Sequence, residues 1–148
     1  MRAVVQRVLR ASVEVEGVEV GTIGRGLLAY LGFGSDDTSE DCAWVLGKIV
    51  GLRVFEDDAG KMARDVASVG GALLLVSQFT LYGDVRRGRR PSFDGAMDPA
   101  KAEQAYEAFV RAARATSIPV ATGRFRAPML VHSTNVGPVT LWIDSSER

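Results

Sequence analysis

The chain has 148 residues, with 18 basic and 18 acidic side chains, a single cysteine and a single histidine. A length of this order predicts one domain, spanning residues 1–148, that buries roughly 70% of the surface of its unfolded chain. Balanced charge excludes a uniformly basic nucleic-acid coat, one cysteine excludes an intrachain disulfide, and no apolar run reaches the ~18 residues of a membrane span.

Residues 2–9 alternate and are rich in β-branched side chains, so they predict a strand. Ser12 to Val20 alternates more strictly, with valines at 13, 15, 18 and 20, and Gly17 breaks the phase as a hairpin turn would. Residues 26–32 enclose a buried strand. Thr38 with Asp41 resembles a capping box, and Cys42, Val45, Leu46 and Ile49 follow helical spacing, which predicts an amphipathic helix over 39–50. Leu52 to Phe55 reads as a short strand before a turn at 56–60. The apolar run Ala72–Val76 predicts a strand buried on both faces and reaching residue 79. A loop follows over 83–97. Asp98-Pro99 then supplies a cap and a first-turn proline for a second helix, with Ala102, Ala105, Tyr106, Phe109 and Val110 on its buried face. Strands are expected at 118–121, 128–134 and 138–143. The order predicts a layered α/β domain with mixed and antiparallel sheet and two main helices. The first eight residues lack the apolar core of a secretion signal, so a soluble cytoplasmic protein is expected.

Conventional side-chain chemistry is sparse. His132 lies in a predicted strand with no nucleophile or orienting acid assigned to it, and Cys42 lies on the apolar stripe of its helix. One Cys and one His do not build a structural zinc site, and no Gly-x-x-x-x-Gly-Lys phosphate loop is present. Neither metal nor organic cofactor is expected. Three features stand out instead. Ser77-Gln78-Phe79-Thr80-Leu81-Tyr82 puts two alcohols and an amide at the end of the most buried strand, where polar groups need partners. Arg86, Arg87, Arg89 and Arg90 concentrate guanidinium groups in one loop beside the single acid Asp84, a pattern suited to phosphate oxygens. Gly137-Pro138 interrupts two apolar strand segments; it reads either as a turn or as a place where backbone carbonyls approach a ligand.

Taken in order along the chain, these segments resemble the D-aminoacyl-tRNA deacylase family. The match begins with Met1–Val8 and continues through Lys48–Arg53, Phe55–Asp57 and Ser77–Tyr82. Gly88–Phe93, Thr122–Phe125 and Gly137–Thr140 complete it. The resemblance implies a three-layer α/β/β fold and a homodimer that hydrolyses the ester between a D-amino acid, or misattached glycine, and tRNA. It implies that Ser77, Gln78, Phe79 and Thr80 line the pocket, that Ala96, Phe125 and Met129 help shape it, and that backbone groups of Phe79 and Thr80 stabilise the reacting ester. It further implies that a cis Gly137-Pro138 unit enters the partner's pocket as a chiral gate, that Arg7 supports this gate, and that the adenosine 2′-hydroxyl assists the attacking water. Arg86, Arg87, Arg89 and Arg90 are the expected tRNA phosphate contacts.

Three positions depart from the family pattern: Val136 stands where Asp is usual, Arg126 where Gly is usual, and Pro128 precedes Met129. They flank the gate and bear on pocket shape and substrate preference. Two other readings remain at this point. One is a non-catalytic RNA-binding module on the same fold. The other is an esterase with Thr80 as nucleophile, which needs an activating base that the sequence does not place nearby.

Overall fold

The computed structural model describes all 148 residues. Its organising element is β1 (Arg2–Val15), which pairs along both edges. On one edge it meets first β2 (Val18–Ile23) and then β3 (Gly26–Gly32), which follow each other antiparallel to it from Val15↔Val18 to Arg2↔Gly32. The tight turn between β1 and β2 has positive φ at both Glu16 (51°) and Gly17 (79°), the left-handed pair that matches the twist of a two-residue hairpin. On the other edge β1 meets β8 (Leu130–Asp144) over almost its whole length.

The expected separation of strand 2–9 from the following hairpin is not observed. Leu9 and Arg10 both face solvent, which breaks the inward–outward alternation, but the register shift opposite β8 absorbs the change and the strand continues. The expected strands 128–134 and 138–143 are likewise one element, β8, with an irregularity where they were separated.

β6 (Ala72–Ser77) lies parallel between β3 and β7 (Val120–Thr122). It is buried on both faces. Leu73 and Leu75 join the larger core cluster beneath the helices, whereas Leu74 and Val76 join a second cluster with Val8, Ala11, Val13, Val15, Ile23 and Leu28. The two β layers are therefore built by one six-stranded mixed sheet that curls around this second cluster. The helices α1 (Ser39–Gly51) and α2 (Pro99–Arg114) cover the other face through Val45, Ile49, Tyr106, Phe109 and Val110.

Several boundaries differ from expectation. β6 stops at Ser77, because Gln78 turns away and residues Phe79–Tyr82 form a 3₁₀ turn. The expected strand at 52–55 reduces to β4 (Phe55–Glu56), paired with β5 (Met62–Arg64); Leu52 instead closes α1 by donating its N–H to Ile49 O. β7 begins at Val120 rather than 118. No helix is long and apolar enough to cross a membrane.

Both helix starts follow the sequence signals. Asp98 caps α2 by accepting from the N–H groups of Ala100 and Lys101, and Pro99 opens it. In α1 the Thr38 hydroxyl accepts from Asp41 N, and the Asp41 carboxylate accepts from Thr38 N at 2.9 Å. The bond from the Thr38 backbone, followed by that from its hydroxyl, holds the Asp41 carboxyl down to about 2. Thr38→Ala is expected to reduce unfolding free energy by about 1 kcal/mol near neutral pH, measured by urea denaturation. A carboxyl depressed in the folded state contributes stability above its unfolded value and loses it as pH falls. The difference between wild type and variant should therefore narrow between about pH 4 and about pH 2.

Candidate active site

The parallel strands β3, β6 and β7 end together, and most of the expected pocket residues collect there. Ser77 is the last residue of β6, paired with Leu31 of β3. Gln78 donates its N–H to Leu31 O at 2.7 Å, which turns the chain out of the sheet and starts the 79–82 turn. Ala96 is brought in by a bridge to Gly34, just beyond β3, and Met97 N donates to Phe33 O. Beyond β7, Gly123 N donates to Leu75 O, and the Phe125 ring lies 5.8 Å from that of Tyr106. Tyr106 donates its own hydroxyl to Leu75 O at 2.9 Å, and burial pushes it up to about 12, so it serves as a neutral anchor. Met129 packs inside the curled sheet with its sulfur over Gly123. Carboxyl ends of adjacent parallel strands are a common location for ligand sites.

Phe79 and Thr80 are exposed at the head of the turn. The Phe79 ring stands edge-on to Phe93 at 5.0 Å. The Thr80 hydroxyl is bonded to the Gln78 side-chain amide. An amide is not a base, and no carboxylate or imidazole reaches this hydroxyl.

The turn is held from behind through Tyr82 and Leu81 by Arg2 and Asp37, whose part in this support sequence reasoning did not single out. Arg2 donates to Leu81 O at 3.0 Å and to Asp144 at 2.9 Å, and its guanidinium stacks 4.4 Å from the centre of the Tyr82 ring. Tyr82 donates its hydroxyl to Asp37, which also accepts from Gly34 N. Burial, then the Asp37 charge, raises the Tyr82 phenol far above its ordinary value, so it stays a donor. The sequence clue was the pair Gly32 and Gly34 at the end of a buried strand: a side chain at 34 would lie 2.6 Å from the Tyr82 ring.

The arginines occupy a loop closed by the Asp84–Ser92 bridge and joined to the pocket through Phe93. Arg86 is committed to Asp84 through bonds of 2.9 and 2.6 Å, which hold that carboxyl at about 2. Arg87, Arg89 and Arg90 are exposed and form no ion pair. His132 is exposed and 3.6 Å from Glu14, far from any of these groups in the sheet. Cys42 is half-buried, and burial followed by the nearby Asp37 charge raises its thiol pKa, which removes thiolate character.

Gly137 and Pro138 do not join the pocket within one chain. They form part of a bulge in β8, with four residues, 136–139, lying between the pairs Gln6↔Thr140 and Val8↔Asn135. The Gly137–Pro138 peptide bond is cis. Arg7, only 7% exposed, donates to Val136 O at 3.2 Å and to Val54 O at 2.5 Å. Gly137 has φ 118°, and a Cβ there would stand 2.8 Å from the Arg7 guanidinium. The sheet order β8-β1-β3-β6 puts three strand spacings, about 14 Å, between this bulge and Ser77. A small cavity of about 150 Å³ lies beside the bulge, lined by Arg7, Arg25, Phe55 and Val136. A polar groove of about 620 Å³ runs past Arg10, Ser12, Glu19 and His132; neither touches Ser77–Thr80.

Comparison with known proteins bears on this arrangement. The family model described as D-Tyr-tRNA(Tyr) deacylase matches residues 4–144. The chain belongs to that deacylase family. A curated D-aminoacyl-tRNA deacylase of Sorangium cellulosum is 62% identical over 146 residues, covering 98% of this chain and 97% of the relative. Among solved structures, the c-Myc DNA Unwinding Element Binding Protein superposes with a TM-score of 0.93 at 43% identity, covering 97% of this chain and 98% of its own. A probable eukaryotic D-amino acid tRNA deacylase shares the fold, with a TM-score of 0.78 at 21% identity over 96% of this chain and 97% of that one. The family match thus spans both the strand-end residues 77–82 and the β8 bulge.

In this deacylase-family chain, Gly34→Ala is expected to displace Tyr82 and destabilise the fold by about 1–3 kcal/mol, as overpacking does. Denaturant unfolding measures it; an unchanged midpoint would show that the Tyr82 ring yields without cost.

Proposed function

We infer that this protein is a tRNA-editing hydrolase, folded as one cytoplasmic domain of 148 residues, that cleaves the ester of D-aminoacyl-tRNA. The observation that carries this reading is family membership over residues 4–144. The products are free amino acid and tRNA. Glycine wrongly attached to tRNA is a second substrate, because it has no side chain for a handedness filter to reject.

Water attacks the ester carbonyl, and the 3′-oxygen of the terminal adenosine leaves with a proton. The adjacent 2′-hydroxyl of the tRNA assists the water. Ser77, Gln78, Phe79 and Thr80 position the adenosine and aminoacyl group, with Ala96, Phe125 and Met129 shaping the pocket. The N–H groups of Phe79 and Thr80 open a 3₁₀ turn and have no acceptor inside it, so they are available to the developing oxyanion. Thr80 is not the nucleophile on this reading; its hydroxyl meets an amide, not a base.

Selectivity comes from a second copy of the chain. Gly137 and Pro138 of one protomer enter the pocket of its partner, with Arg7 behind them, and their carbonyl oxygens occupy the space an L side chain needs. The separation of bulge and pocket within one chain supports this division of labour in a homodimer. Arg87, Arg89 and Arg90 contact tRNA phosphates; Arg86 does so while keeping Asp84 as its neighbour. One observation favours a second reading, a nucleic-acid binder without catalysis: the structural relative at 43% identity is named for DNA binding.

Hydrolysis of D-tyrosyl-tRNA, with L-tyrosyl-tRNA spared, is the expected outcome for the wild-type protein; no turnover of either would favour the pure binder. Thr80→Ala should keep most of the rate, whereas a substrate ending in 2′-deoxyadenosine should lose nearly all of it. Replacing Arg87, Arg89 and Arg90 together by Ala should weaken tRNA binding and flatten the log–log salt dependence by about two. An unchanged slope would remove the phosphate assignment.

A further inference from the structure

The four residues 136–139 bulge out of β8 opposite the single residue Arg7 and so lose the regular ladder that fixes a strand. Pro138 has no N–H, and glycine at 137 resists bending least of all residues. Something else must fix the path of this segment. Arg7 fixes only the Val136 carbonyl.

The remaining restraint comes from three side chains at the foot of the bulge. Asn135 accepts from Val139 N at 3.2 Å through its oxygen and donates to the Thr140 hydroxyl at 2.9 Å through its nitrogen. The Thr140 hydroxyl also accepts from the Gln6 side chain at 3.2 Å. Asn135 thus spans the mouth of the bulge from one side to the other, and Gln6 ties that bridge to β1. Gln6 is adjacent to Arg7, so one stretch of β1 holds the bulge at two points.

We propose that Gln6, Asn135 and Thr140 form a clip that fixes the shape of the 136–139 bulge and thereby sets the selectivity of the enzyme for amino-acid handedness. This rests on the gate reading given above, in which carbonyl oxygens of the bulge exclude L side chains. Steric exclusion by a backbone needs placement to within about 0.5 Å, which a glycine–proline segment does not supply by itself. The three side chains are positioning residues; they touch the bulge and not the ester.

The test compares Thr140→Val and Gln6→Leu, which keep size and remove the hydrogen bonds, with Thr140→Ser, which keeps the hydroxyl. Rates on D- and L-tyrosyl-tRNA are measured, together with hydrogen exchange at the Val139 amide. In Thr140→Val and Gln6→Leu the L-to-D rate ratio is expected to rise about fivefold, the equivalent of one hydrogen bond, while the D rate stays within about twofold. Exchange at Val139 should accelerate, and Thr140→Ser should retain the wild-type ratio. An unchanged ratio in both isosteric variants, or a parallel fall of D and L rates, would overturn the clip. A wild-type protein that hydrolyses both substrates equally would overturn the gate reading itself, and with it the clip, before any variant is made.

Discussion

The pairing of β1 along both of its edges is the constraint from which the rest of the molecule follows. One edge carries β2 and β3 in unbroken sequence, and β3 in turn seats the parallel pair β6 and β7. The other edge carries β8. Because a strand has only two edges, the elements on either side of β1 are kept apart by its width. The Ser77–Tyr82 strand end grows from one side and the Gly137–Pro138 bulge from the other. The proposed dimer would let one site draw on both, with the strand end from one chain and the bulge from the other.

The chemistry available at the pocket matches that reading. Half-buried Tyr82 and buried Tyr106 are both pushed upward and stay hydrogen-bond donors, to the Asp37 carboxylate and to Leu75 O respectively. The lone thiol is raised by burial, and the lone imidazole stands on the outer face of the sheet. What the strand ends offer is placement: a turn whose first N–H groups have no acceptor inside it, an amide beside a hydroxyl, and the aromatic pairs Phe79–Phe93 and Tyr106–Phe125. On the proposed reading, such a site would gain rate by orienting a substrate that brings its own reactive hydroxyl.

Much of this was legible in the sequence. The run Ala72–Val76 declared itself as a doubly buried strand because apolar side chains occupied both phases of its alternation, and the two core clusters divide its leucines accordingly. Thr38 and Asp98 announced the helix starts because capping is local chemistry. The continuity of β1 was hidden, since Leu9 and Arg10 break the pattern while the hydrogen bonds run on. β8 looked like two strands because Gly137–Pro138 interrupts its pairing at the bulge and the ladder resumes beyond it. The support behind the pocket was also invisible: Arg2, Asp37 and Tyr82 lie far apart in the chain and meet only after the sheet and the turn have formed. Gln6 was hidden by its setting as one polar residue in an ordinary alternating strand.

Val136 offers its main-chain oxygen to Arg7 and sends its side chain outward, 37% exposed. Every amino acid has that same oxygen. The Arg7 contact therefore does not depend on which side chain stands at 136, so a departure from the usual residue there leaves that hydrogen bond intact.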